Sequence, residues 1–234
     1  MSSPAQQSIP KPSRSRHASK DSEDSVTRAP PALVPQYKPG QQSKQTSSTS
    51  QVQALQEAHF LMNNGSEEER RSALRTLAAL SSAENFPPKI LADTIRSAKD
   101  CVEFLCSMLA DATLVEAALV CLGNFGIEAN EDDMRRMSSA GGMEQIFKIV
   151  ARSTPDDALL TMALGACMNV CNGFAAASLA CEMGLFVRLN ELTASSDPAV
   201  CHFASSALSN IQASINECVR NEPLADTDHL SAEK

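Results

Sequence analysis

The chain has 234 residues, which is enough for one helical domain with tails. Aromatic residues make up only 4% of it and Trp is absent, so a core must consist mainly of Ala, Leu, Ile, Val, Met and Cys. Residues 1–50 carry seven Lys/Arg and three Asp/Glu, whereas residues 51–234 carry thirteen and twenty-five. This acidic body disfavours nucleic acid as a partner and favours a basic protein segment.

Residues 1–50 are rich in Ser, Gln, Pro and Lys, a composition that predicts a disordered basic tail. Arg14 and Arg16 precede Ser19 at a spacing that basophilic kinases use, which makes Ser19 a candidate phosphorylation site. Residues 30–37 are the only apolar island in the tail and contain the single Tyr of the chain. We interpret the island either as a docking motif or as a polyproline-like spacer.

Regular structure is predicted to begin near residue 51. Val52, Leu55, His59 and Met62 recur there at spacings of three to four. This spacing predicts a short capping helix that ends at residues 63–65. Each of the four longer helices that follow has a candidate N-terminal cap. The caps are Ser66 with Glu69, Thr113 with Glu116 (or Asp111 alone), Thr154 before Pro155, and Asp197 before Pro198.

A second pattern lies between the long helices. Gly141 and Gly184 each precede an apolar series at offsets of two, five and eight, and Asp100 takes the same place one unit earlier. The pattern predicts a middle helix of about three turns that is entered through a sharp turn. Shorter helical segments are expected before it, at residues 90–98, 134–140 and 176–183.

One motif recurs in the long helices: Ala-Leu-Val-Cys-Leu-Gly-Asn-Phe at 118–125, Ala-Leu-Gly-Ala-Cys-Met-Asn-Val at 163–170, and related versions at 73–80 and 204–211. Its first residues are Ala73, Ala118, Ala163 and Ala204, so the period is 45, 45 and 41 residues. A period of this size indicates a helical solenoid of the armadillo or HEAT type.

The unit of short helix, glycine turn, middle helix and long helix resembles the armadillo repeat over residues 66–214. The resemblance implies an all-α, right-handed α-α superhelix, with HEAT-like stacking as the near alternative. The expected organisation is a disordered tail at 1–50, the repeat domain at 51–220 and a disordered acidic tail at 221–234.

In armadillo proteins the third helices line a concave groove, where Asn side chains bind the backbone of an extended peptide. The resemblance transfers this role to Asn124, Asn169 and Asn210. Helical spacing predicts that each Asn points away from the core, while its neighbours Leu122, Cys167, Leu208, Phe125, Val170 and Ile211 face the core. The positions that share the Asn face are Val120, Gly165, Ser206, Glu116, Thr161 and His202. The alternative is that each Asn ties down the backbone of a neighbouring repeat.

The sequence departs from the armadillo pattern in two places. Importin-alpha proteins carry a Trp four residues before this Asn, where this chain has Val120, Gly165 and Ser206, which argues against that type of import-signal binding. The first unit lacks the Asn and has Arg71 and Arg75 on the equivalent face. The groove is therefore expected to run from basic there to acidic near Glu116 and Glu128.

Catalytic, metal and membrane functions find little support. The eight cysteines show no C-x-x-C spacing and are interpreted as reduced core thiols, which favours the cytoplasm or nucleus, as does the lack of a signal peptide. A His202 pair with Cys167 or Cys171, and a metal site at residues 131–133, are weak alternatives. Residues 158–181 carry no charge, but their repeat register favours buried helices over a membrane span.

The sequence therefore predicts a protein without enzymatic activity or cofactor that binds an extended or helical segment of another protein. One alternative is a structural subunit that uses its convex face or its ends within a larger assembly. Another is an adaptor in which the basic tail folds back over the acidic body and competes with the partner.

Overall fold

The computed structural model describes residues 48–221, and that part of the chain is built from eleven α-helices with no strand among them. Ser19, the island at 30–37 and the acidic tail from residue 222 lie outside the described residues. The helices are α1 (Ser48–Asn64), α2 (Glu67–Ser81), α3 (Pro88–Ser97), α4 (Cys101–Met108), α5 (Val115–Glu128), α6 (Glu131–Ser139), α7 (Gly142–Arg152), α8 (Ala158–Val170), α9 (Phe174–Glu182), α10 (Leu185–Leu192) and α11 (Pro198–Asn221).

The helices form repeated units. The pair α1 and α2 is followed by three triplets of short, middle and long helix, namely α3–α5, α6–α8 and α9–α11. The long helices α2, α5, α8 and α11 pack side by side in chain order, and the middle helices α4, α7 and α10 do the same. This arrangement confirms the predicted all-α repeat organisation.

The predicted sharp turns before the middle helices are present in all three triplets. Gly141 and Gly184 precede α7 and α10 with φ of 72° and 68°, and Asp100 precedes α4 with φ of 48°. These values lie in the left-handed region, which Gly occupies without the penalty that a Cβ brings. Asp100 is the one residue other than Gly with positive φ between residues 48 and 221.

Two of the predicted helix caps are confirmed. Ser66 and Glu69 form a reciprocal capping box at the start of α2, in which the Ser66 backbone N–H donates to the Glu69 carboxylate at 2.7 Å. The Asp197 carboxylate accepts from the Ala199 N–H at 2.8 Å, at the start of α11.

At the other two places the predicted Thr caps are wrong, whereas the alternative Asp111 accepts from the Thr113 N–H at 2.8 Å. The Thr113 hydroxyl donates to the Asp111 carboxylate at 2.7 Å instead of capping, and α5 begins at Val115 without a side-chain cap. Thr154 lies in a turn before α8, which begins three residues later than expected, with the Asp157 carboxylate accepting from the Leu159 N–H. In both places a nearby Asp satisfies the free backbone donors more directly than Thr.

Helix α1 is longer than expected and is rotated relative to the prediction. Met62 is buried as predicted and the helix ends at Asn64, but Val52 is 54% exposed. Ala58, which the predicted stripe omits, is buried instead. A small side chain there lets α1 pack closely against α2.

The core lies between the units. Five of the six predicted core neighbours of the Asn residues are fully buried, namely Leu122, Cys167, Phe125, Val170 and Ile211. Leu208 is half-buried because no later third helix follows α11 in the described part. The uncharged residues 158–181 are divided between α8 and α9, with Asn172 and Gly173 between them. Within residues 48–221, no helix combines the length and the apolarity needed to cross a bilayer.

Candidate functional site

The three predicted Asn residues occupy equivalent places on successive third helices, and each contacts the preceding one. Asn124 Nδ2 donates to the Ser81 carbonyl at 3.3 Å, and Asn169 Nδ2 donates to the Gly123 carbonyl at 3.0 Å. Asn210 Nδ2 donates to the Met168 carbonyl at 2.8 Å. The backbone contacts that the second interpretation predicts are therefore present for all three Asn residues.

These contacts use only part of each amide. A primary amide offers two N–H donors and an acceptor oxygen, and each of the three Asn side chains engages one nitrogen. Within residues 48–221, the Oδ1 atoms of these Asn residues accept no hydrogen bond from protein groups. The helix-to-helix bond fixes the orientation of the amide and leaves its oxygen uncommitted.

The middle of the predicted groove is closed, contrary to the expectation that its residues point away from the core. Asn169 is only 3% exposed, and Val120 and Gly165 are buried. The cause is the close approach of α5 and α8. A Cβ placed on Gly123 would lie 3.2 Å from the Cα and the Cβ of Ala166, which is tighter than ordinary van der Waals contact.

The two ends of the row formed by Asn124, Asn169 and Asn210 stay partly accessible to solvent. Asn124, Asn210 and Ser206 are half-buried, and the outer positions Glu116 and His202 are exposed. Thr161, at the start of α8, is half-buried. The row thus consists of an accessible portion on α5 beside α2 and another on α11, separated by the covered α8.

Arg71 is not a free cation at the first unit, contrary to the sequence expectation. Its guanidinium lies 3.0 Å from Glu67 and 2.5 Å from Asp111, so it joins α2 to the turn before α5. These two carboxylates, Glu67 most strongly, raise the pKa of Arg71. Arg75 is exposed and pairs with no carboxylate within residues 48–221.

The fold resembles several solved structures. An engineered protein matches with a TM-score of 0.54 and 24% identity, over 68% of this chain and 63% of that one, so the match spans less than two thirds of its length. A second engineered protein matches with a TM-score of 0.51 and 23% identity, over 71% of this chain and 69% of that one. A designed armadillo repeat protein in complex with the peptide (KR)4 matches with a TM-score of 0.49 and 20% identity, over 68% of this chain and 65% of that one. The described chain is an armadillo-like repeat array.

No protein-family model and no curated protein matches the sequence. The likeness to the solved structures therefore shows the fold of the armadillo-like array and leaves its activity to be argued from its own residues.

The cysteines of the array are mostly core residues. Five thiols are buried, namely Cys101, Cys106, Cys121, Cys167 and Cys171. Cys181 is exposed and Cys201 is half-buried, so the core interpretation is wrong for those two. The side chain of Cys218 is outside the described ones. Burial raises the pKa of Cys101 to about 12 and that of Cys106 to about 12. Thiols of this kind are poor nucleophiles at neutral pH.

The array does not assemble the catalytic pair that His202 suggested. Cys167 and Cys171 lie 3.8 Å apart (Sγ to Sγ) in the core, and this contact together with burial raises the pKa of Cys171. His202 is exposed and packs edge-on against Phe203, with 5.3 Å between the ring centroids. Within residues 48–221, no three His, Cys, Asp or Glu side chains are grouped closely enough to hold a metal ion.

Sequence reasoning missed the ion pairs that join the units. Arg96 Nε donates to the buried Asp133 carboxylate at 2.8 Å, and its guanidinium lies 5.7 Å from the Phe125 ring centroid. Arg136 and Glu103 pair across α6 and α4 at 2.9 Å. The acidic run at 131–133 carried this signal, because its third member completes a capping box with Asn130 and bridges to α3.

Proposed function

We propose that this protein is a non-catalytic interaction scaffold that binds an extended segment of another protein along its third helices. The observation that carries the proposal is the state of Asn124 and Asn210. Each amide is oriented by one hydrogen bond to the preceding helix, is partly accessible, and keeps an oxygen without a protein donor within residues 48–221. Such an amide can accept a hydrogen bond from the N–H of a bound peptide.

The bound segment is proposed to contact the array at two places. The buried Asn169 separates the accessible surface on α5 from that on α11. A peptide backbone that crosses α8 therefore meets apolar and small side chains there, and its amide contacts are confined to Asn124 and Asn210. This division departs from the continuous ladder that the sequence predicted.

The chemistry of the segment follows from charge. Residues 51–234 carry thirteen Lys/Arg against twenty-five Asp/Glu, and Glu116 is exposed beside the accessible portion on α5. Arg71 is neutralised by its two carboxylates, which leaves Arg75 as the exposed cation at the other side. A segment rich in Lys or Arg is favoured by this field, and its binding weakens as salt rises.

Selection from a displayed library of random linear peptides tests the proposal with the full chain. We expect selected peptides to be basic and to lose about thirtyfold in affinity for the Asn124→Ala/Asn210→Ala double variant, since each of the two lost hydrogen bonds is worth roughly 1 kcal/mol. Asn190→Ala, an exposed amide on α10, is the matched control and should leave affinity unchanged. The peptide (KR)4 serves as a defined basic probe in the same titrations.

Two results would contradict the groove. One is a selection that yields no linear peptide, and the other is a set of peptides that bind the double variant as tightly as the wild type. Thermal unfolding of the double variant is measured in parallel, so that lost folding is not mistaken for lost recognition.

A second candidate function, a structural subunit that uses its ends, is favoured by Phe186. This residue stands two places after the left-handed Gly184, as Met143 stands after Gly141. Met143 is completely buried, whereas Phe186 and its neighbour Val187 are exposed on α10. Phe186→Ser should abolish co-assembly while the Asn124→Ala/Asn210→Ala variant retains it. The opposite pattern would favour the groove.

A further inference from the structure

Helix α1 exposes apolar side chains on the face that points away from the array. Val52 is 54% exposed and Phe60 is 62% exposed, with the exposed Gln56 between them. The opposite face of the helix carries the buried Ala58 and Met62 and packs against α2. We refer to Val52, Gln56 and Phe60 as the outer α1 face.

The outer α1 face has the dimensions of a short docking strip. Its two apolar residues are eight positions apart, which corresponds to roughly 12 Å along a helix axis. A repeat array leaves apolar surface at each end, and terminal elements usually cover it with polar residues. Here Phe60 is among the most exposed large apolar side chains within residues 48–221, so the cap is itself incompletely covered.

A suitable occupant lies directly before α1 in the chain. Residues 33–37 contain Leu33, Val34 and Tyr37 in an otherwise polar tail. Ten residues separate Tyr37 from Ser48, the first residue of α1. Fully extended they span at most roughly 35 Å, which exceeds the distance from the start of α1 to Phe60, about 18 Å.

The linking segment is a short tether. It gives residues 33–37 a high effective concentration at the outer α1 face compared with that of any separate protein.

Charge supports the same placement. Glu57 is the only ionisable acid or base other than His on α1, is exposed, and forms no ion pair within residues 48–221. Lys38 follows directly after Tyr37, so a segment that runs back along α1 brings its ammonium group towards this carboxylate. A surface pair of this kind adds little energy but favours one orientation.

We propose that residues 33–37 dock on the outer α1 face and complete the N-terminal cap of the array. The partner of this surface is thus a segment of the same chain. The contact does not rest on the proposed peptide site, since that site lies on the third helices, and it differs from a tail that competes in the groove. Its consequence is that loss of the tail uncovers Val52 and Phe60 for self-association.

The single Tyr and the absence of Trp make the contact directly measurable. Tyr37 fluorescence in the full chain reports on residues 33–37 alone, and acrylamide quenching compares it with a free peptide of residues 28–47. Docking shields the ring, so we expect the quenching constant in the full chain to be about half that of the peptide or less.

Phe60→Ser should raise quenching of Tyr37 to the level of the free peptide. Phe174→Ser is the matched control because Phe174 is 53% exposed and lies on α9, in the last unit. Leu33→Ser provides a second variant that lies in the tail and leaves the packing of the array intact. Circular dichroism and thermal unfolding establish that each variant is folded.

Three outcomes would overturn the proposal. The first is quenching of wild-type Tyr37 equal to that of the peptide, and the second is an equal response to Phe60→Ser and Phe174→Ser. The third is protection that disappears on dilution together with a halving of the mass measured by light scattering, which would assign the contact to a second copy. The affinity for (KR)4 should be the same in wild type and Phe60→Ser, because the proposed peptide site lies on the third helices. The two proposals can therefore fail independently: Tyr37 quenching tests the outer α1 face, and (KR)4 affinity tests the peptide site.

Discussion

The side-chain amide of Asn169 donates a hydrogen bond to the backbone carbonyl of Gly123, 46 residues earlier, at 3.0 Å. The bond joins α8 to α5 at the place where the missing side chain of Gly123 lets Ala166 approach. Asn169 is buried, so its amide serves the junction between units, whereas Asn124 and Asn210 keep accessible surface. The same residue type thus has different consequences at three equivalent positions.

Replacing Asn169 by Ala should lower stability. The substitution removes a buried hydrogen bond between units, and we expect a loss of about 1 kcal/mol in the free energy of unfolding, measured by urea denaturation. Asn190→Ala removes an exposed amide and should change stability by less than about 0.5 kcal/mol. Equal effects of the two substitutions would show that the Asn169 bond contributes nothing.

Gly123→Val should separate α5 from α8. The added Cβ would lie 3.2 Å from the Cα and Cβ of Ala166, and the branched atoms would come nearer still. We expect a loss of about 1–3 kcal/mol from overpacking, measured as a fall in the unfolding midpoint. Gly173→Ala is the control, because no heavy atom lies within 4 Å of a Cβ built there. A Gly123→Val variant as stable as the wild type would refute the close-packing argument.

Asp100→Gly should stabilise the array slightly. Asp100 has φ of 48° and its side chain makes no capping hydrogen bond. Relief of the left-handed strain, about 1–2 kcal/mol, outweighs the extra chain entropy of Gly, about 0.5–1 kcal/mol. Thermal unfolding measures the gain. Gly141→Ala, at the equivalent turn with φ of 72°, should destabilise, and two shifts of the same sign would contradict the argument.

Acid should remove the contribution of Asp111. Hydrogen bonds from the Thr113 hydroxyl and N–H, followed by the Arg71 guanidinium, lower the pKa of Asp111 to about 2. Because the folded pKa is below the ordinary value, the stabilisation is present above about pH 4 and is lost as the pH falls towards 2. The difference in melting temperature between wild type and Asp111→Asn should therefore shrink over this range. Asp156→Asn, at an exposed position, is measured in parallel as the control.

Thiol reactivity should separate the exposed from the buried cysteines. In a Cys201→Ser/Cys218→Ser background at pH 8, the exposed Cys181 should react rapidly with a disulfide reagent, while Cys101 and Cys106 react only on unfolding. Burial raises the pKa of both core thiols to about 12, so few thiolates form. Cys181→Ser should abolish the rapid phase. Rapid labelling of Cys101 would contradict the packing of α4.

Several features of the array could be predicted from local sequence. The motif at 118–125 and its copies indicated the repeat period, and the turns at Gly141 and Gly184 indicated the middle helices. These predictions succeeded because the residues involved act within one unit. A left-handed turn depends on one backbone position, and the period of apolar residues depends on one helix.

The tertiary structure decided what the repeated residues do. Asn124, Asn169 and Asn210 look equivalent in the sequence, yet Asn169 is buried while the other two are half-buried, and the buried one lies where Gly123 of α5 packs against Ala166 of α8. Arg71 is interpreted as a free cation from the sequence, but in the structure Asp111, 40 residues later, lies 2.5 Å from its guanidinium. The sequence by itself determined the helical units and their order. Distances between units depend on side chains far apart in the chain, so only packing determined which of their surfaces remain open.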